Sequence, residues 1–132
     1  MIDFDGVQRW LDAYVHAWQT NDPARIGSLF TDEAEYRWHP WDTGDEVARG
    51  RDEIVAAWLE DTDPPGSYQA SYRPLLVQGD VAITVGTTRY YADATLDEEF
   101  HNLFQLRFAD DGRCSSFVEW YMKTPAAAAS KA

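Results

Sequence analysis

The chain has 132 residues, 45% of them hydrophobic, and 23 acidic residues stand against 11 basic ones for a net charge of −12. That length and mixture suit one domain with one core. So acidic a chain repels a phosphate backbone and an anionic membrane surface, which sets nucleic acid and membrane aside as partners.

In chain order, the N-terminus MIDFDGVQRW has no basic or apolar leader pattern. Val7, Trp10, Leu11, Tyr14, Val15 and Trp18 recur at spacings of three and four, which predicts a helix from Asp5 to about Thr20 with one broad apolar stripe. Asn21-Asp22-Pro23 ends it, and Asp22 caps a short second helix that buries Ile26, Leu29 and Phe30. A strand is expected over Glu35–His39, stopped by Pro40, which has no N–H for a ladder. Asp42–Arg49 reads as an acidic, solvated loop. A third helix opens at Gly50-Arg51-Asp52 and carries Ile54, Val55, Trp58 and Leu59 at helical spacing.

After the turn-rich DTDPPG segment the period changes to two. Four strands are expected, over Tyr68–Val77, Val81–Tyr91, Glu99–Ala109 and Cys114–Lys123. Gly79-Asp80 and Asp110-Asp111-Gly112 read as tight turns, and Ala92–Asp97 as a longer, softer one. Helices first and a meander after predict an α+β fold with the helices on one sheet face. The domain is expected to cover residues 1–124, with PAAAASKA from Pro125 as a frayed tail.

No apolar run approaches the roughly 18 residues of a spanning helix. One cysteine, Cys114, excludes an internal disulfide and suits a reducing cytoplasm. Three histidines without ligand spacing offer no metal site, and no nucleotide-binding glycine motif occurs, so no cofactor is expected.

The segments YVHAWQTNDPARIGSLFTDEAEYRWHP, GRDEIVAAW and LRFADDGRCSSFVEWYMK resemble the nuclear transport factor 2-like superfamily, and within it the SnoaL-like (polyketide-cyclase-like) branch. The resemblance spans about Val7 to Lys123. It implies a cone: a curved antiparallel sheet wrapped around the N-terminal helices, enclosing a deep, mostly apolar pocket. It also implies a homodimer through the outer sheet face. Members include isomerases, dehydratases, cyclases, epoxide hydrolases and proteins without chemistry, so it leaves the activity open.

The superfamily's ketosteroid isomerases hold an oxyanion with a helix tyrosine and a protonated carboxylic acid, and use an aspartate as base. Tyr14 matches the tyrosine, and it also fits a pocket wall or core. The base position falls on Trp38 or His39 by two counts, and the second oxyanion donor on Phe104. Usual steroid-isomerase chemistry is therefore not expected. His39 is a candidate base near neutral pH or a rim residue beside an aromatic wall.

Strand parity supplies a second set. Val81, Ile83 and Val85 are expected to face the core, and Thr87, Arg89 and Tyr91 with them. Phe104 and Leu106 carry Asn102 inward, and Phe117 carries Glu119 and Tyr121. Arg89, Asn102 and Glu119 would then lie abreast, as a working acid/base site or as a structural ion pair. The candidate catalytic residues are Glu119, His39, Tyr14 and Arg89. The candidate ligand-contacting residues are Trp18, Trp38, Trp41, Trp58, Asn102, Phe104 and Tyr121. On the outer face, Leu103, Val118, Trp120 and Met122 form an interface candidate. The reading is an acid/base enzyme for isomerisation, dehydration or cyclisation of a small, fairly apolar molecule. Its alternatives are a non-catalytic binding or sensing protein and a dimeric scaffold.

Overall fold

A computed structural model describes residues 2–125. The expected tail therefore lies, apart from Pro125, outside the described residues. Helix α1 runs Phe4–Thr20, α2 Pro23–Gly27 and α3 Arg51–Glu60. The Asp3 carboxylate accepts from the Gly6 N–H at 2.7 Å and starts α1, while Asn21 closes it in the left-handed region. Asp22 caps α2 through the Ala24 N–H at 3.0 Å, with Pro23 in the first turn.

Six strands form one curved, unclosed sheet in the order β2-β1-β6-β5-β4-β3. They are β1 Phe30–Arg37, β2 Ala48–Arg49, β3 Tyr68–Gln78, β4 Val81–Ala92, β5 Thr95–Phe108 and β6 Cys114–Lys123. The C-terminal meander is antiparallel, and β1 joins it parallel to β6, so the sheet is mixed. The apolar stripe of α1 lies against the inner face. Val7, Leu11, Ile26, Phe30, Phe104 and Phe117 are essentially inaccessible there, each contributing about 1.5–3 kcal/mol by burial. Trp10 anchors the helix layer by donating its indole N–H to the Leu29 carbonyl at 3.0 Å.

Three sequence expectations change. Strand β1 begins at Phe30, because Phe30 and Ala34 are core residues, and it ends at Arg37. The turn expected over Ala92–Asp97 is a tight hairpin. Ala92 pairs with Thr95, and Asp93 and Ala94 both take left-handed backbone (φ 50° and 66°), the geometry that matches strand twist.

The third change is consequential. On β4 the inward residues are Ala82, Thr84 and Thr88, all buried, while Val81, Ile83 and Val85 are half-buried on the outer face. Alternation marks two faces without saying which is which, and a one-residue error inverts them all. Small residues turn inward because the meander packs tightly at this point. A Cβ at Gly86 would lie 2.1 Å from the Ser71 carbonyl oxygen and 2.4 Å from the Tyr72 ring. Arg89 consequently points outward, where it lies opposite Glu99 and donates to it at 2.7 Å.

Candidate functional site

Between α1, α3 and the inner sheet face lies a cavity of about 730 Å³. Helix α1 contributes Tyr14 and Trp18, α3 contributes Trp58, and β1 with its extension contributes Tyr36 and Trp38. The meander supplies Tyr72, Thr88, Tyr90, Phe100, Asn102, Glu119 and Tyr121. Most of the wall is aromatic and interlocked. Tyr36 stacks on Phe117 at 4.1 Å, Trp18 on Tyr68 at 4.1 Å, and Tyr14 meets Trp58 edge-on at 5.2 Å.

A directed hydrogen-bond chain crosses the floor. The Thr88 hydroxyl donates to Asn102 Oδ1 at 2.9 Å, so Asn102 Nδ2 is left to donate to Glu119 Oε2 at 2.8 Å. Tyr72 completes the chain at Thr88. Glu119 has no cation paired with it among the described residues. Desolvation therefore dominates and pushes its carboxyl up to about 7, against smaller opposing effects of the Asn102 hydrogen bond and of nearby His39. Beside it, the Tyr14 and Tyr36 hydroxyls share a hydrogen bond at 3.3 Å. Burial raises both phenols well above their ordinary value, and the Glu119 charge adds to it, so both stay protonated and able to donate.

The segment Trp38-His39-Pro40-Trp41 builds the rim. It is organised by Asp42, which is buried rather than solvated. One Asp42 oxygen accepts the Trp38 and His39 backbone N–H groups at 3.0 and 3.1 Å. The other faces His39 Nδ1 at 3.1 Å. With Nδ1 protonated toward that carboxylate, Nε2 accepts from the Tyr121 hydroxyl at 3.0 Å. Trp41 stacks on the outer side of the His39 ring at 4.8 Å and is 70% exposed.

The structure thus brings Tyr14, Trp18, Trp38, Trp58, Asn102, Glu119 and Tyr121 to one cavity, and His39 to its rim through Tyr121. Three expectations are corrected. Arg89 is on the opposite sheet face, paired with Glu99. Phe104 is sealed in the core, tilted against Tyr72 and Phe117 at 4.8 and 4.7 Å, and does not line the cavity. Trp41 covers His39 rather than the cavity. Residues not singled out from sequence are Tyr36, Tyr72, Thr88 and Asp42. Tyr36 was legible from its parity with Trp38. Asp42 was not, because an aspartate after Pro-Trp looks the same whether it caps a turn or meets water.

A cone-like α+β domain with an aromatic cavity, a desolvated acid and a tyrosine pair defines the class. A family model described as SnoaL-like domain matches residues 11–117, and the chain belongs to that family. Among solved structures, it is similar to an LEH-like epoxide hydrolase of M. tuberculosis, with a TM-score of 0.64 and 15% identity over 90% of this chain and 84% of that one. It is also similar to a candidate ketosteroid isomerase from Kribbella flavida DSM 17836, with a TM-score of 0.65 and 16% identity over 93% of this chain and 82% of that one. A comparison with curated protein sequences finds no significant match. No helix among the described residues is long and apolar enough to cross a membrane.

Proposed function

We propose that this protein catalyses cofactor-free proton transfer on a small, fairly apolar molecule held in the aromatic cavity. The chemistry is isomerisation or dehydration next to a carbonyl. Glu119 takes the proton, and Tyr14 with Tyr36 donates to the oxygen on which negative charge develops. The observation that carries this reading is Glu119 itself, a cavity-facing carboxyl raised to about 7 with no paired cation among the described residues. A base of that strength is half ionised near neutral pH, where general-base catalysis is most efficient. Two buried, protonated phenols supply the electrostatic half of the reaction. Asp42, His39 and Tyr121 close the rim, where His39 is partly exposed.

The protein is further proposed to work as a cytoplasmic homodimer through the outer sheet face. Support comes from Val81, Ile83, Val85, Leu103 and Val118, half-buried, and from Trp120, which is 46% exposed.

The test is deuterium exchange followed by proton NMR, with a panel of cyclic enones and β-hydroxy ketones in heavy water. The wild type should exchange the α-proton of at least one member, and Glu119→Gln should not. Equal exchange by both would remove Glu119 as the base. Binding without exchange across the panel would favour the sensing role.

A further inference from the structure

The charges around the cavity are one-sided. Seven of its lining residues are carboxylic acids, and none is lysine, arginine or histidine. Glu119 lies on the floor, and the others, among them Glu60, Asp61 and Asp63, ring the mouth. None of the seven takes part in an ion pair among the described residues, although Asp22, Asp32, Glu35, Asp80, Glu98, Glu99 and Asp111 elsewhere all do. The arginines of those pairs, with Lys123, do not line the cavity. The lining acids are also too dispersed for a metal: no group of three or more ligating residues converges on a point among the described residues. What fits spaced carboxylates over aromatic faces is an extended organic cation.

The end of the cavity at Trp18 carries this furthest. Trp18 and Tyr90 line it, and Trp18 stacks on Tyr68. The Tyr68 hydroxyl is buried, has no hydrogen-bond partner, and lies in the field of Asp63. Partial burial raises the Asp63 carboxyl, the Trp18 indole N–H opposes that as a hydrogen-bond donor, and Asp61 is close enough to repel it. Indole and phenol faces beside two crowded carboxylates are the elements that recognise an ammonium group.

We infer that the ligand of the cavity is an organic amine in its protonated form. Its ammonium group is held at Trp18, Asp61 and Asp63, and its apolar body lies over the floor. The inference rests on the cavity being the ligand site, as in the proposed function, and adds the charge of the ligand. It also removes a difficulty of that reading. Anionic charge developing on a substrate would be opposed by the surrounding carboxylates, and a cationic substrate offsets that opposition.

The test is isothermal titration of the full-length protein with a matched naphthyl series: the ethylamine, the ethanol and the acetate. The amine should bind about tenfold tighter than the alcohol, and the carboxylate should bind weakest. About 0.5 M salt should narrow the amine's advantage. Asp61→Asn with Asp63→Asn should erase that advantage while leaving the alcohol's affinity in place, and Asp80→Asn, away from the cavity and paired with Arg107, should retain it. If alcohol and amine bind equally, the cavity stands as the ligand site and the cationic ligand is wrong. If none of the three binds, both fail.

Discussion

Glu119 and Glu99 stand on the two faces of one sheet, each largely removed from solvent, and their surroundings drive them in opposite directions. Glu99, on the outer face, accepts from Arg89 Nε at 2.7 Å and from Thr124 Oγ1 at 2.9 Å. Those hydrogen bonds, the Arg89 one foremost, hold its carboxyl below the ordinary value. Glu119, on the inner face, has one neutral donor in Asn102 and an aromatic cavity, and burial lifts it to about 7. Glu99 is given a cation and Glu119 is denied it, which is what the proposed division into structural acid and base requires. The difference is decided by which side of β4 Arg89 occupies.

The largest expected effect is on turnover. Glu119→Gln should lower kcat by about 10²–10⁴-fold, the range for losing a positioned general base, as read on whichever substrate the exchange screen identifies. Glu99→Gln should leave kcat unchanged. A loss of equal size in both would erase the distinction between the faces.

Next is the hydroxyl pair. Tyr14→Phe should lower kcat by about 10²-fold with little change in KM, as expected for a donor used only in the transition state. An effect confined to KM would make Tyr14 a wall residue.

The third effect is on stability, and its sign depends on pH. The native carboxyl of Glu119 is raised from 4.5 to about 7, so the native state holds its proton longer than the unfolded one. The cost of ionising it in place is absent below about 4.5, grows as pH rises, and is complete above about 7. Glu119→Gln should therefore stabilise the protein by about 1–3 kcal/mol at about pH 8 and by little at about pH 4. Urea denaturation at the two pH values would read it, and equal effects at both would mean the acid is not desolvated.

The smallest effect is the mirror image. Glu99 is depressed, so what it contributes is present above its unfolded value of 4.5 and is lost as pH falls through the lower native value. Arg89→Gln should produce a slight destabilisation that disappears in acid. A change in turnover from this variant would return Arg89 to the site.

Much was legible in the sequence because much of it is local. Three-and-four spacing, Asp22-Pro23 and the period-two runs marked the helices and the meander, since caps and alternation act over a few residues. Asn102, Glu119 and Tyr121 were placed correctly because heavily apolar neighbours, Phe104, Leu106 and Phe117, signalled their face. On β4 the same logic failed. Val81, Ile83 and Val85 look like core, yet they cover an outer face that is itself apolar, while Ala82, Thr84 and Gly86 make room for Tyr72 and α1.

By itself, then, the sequence determined the elements, the fold class and an acid on an aromatic inner face, through interactions between residues near one another in the chain. Only the tertiary structure decided that Arg89 neutralises Glu99 instead of Glu119, that Asp42 holds His39 against Tyr121, and that Tyr36 meets Tyr14. Each of those depends on which faces are pressed together, and that is set by the volume available between helix and sheet, a quantity no short stretch of chain contains.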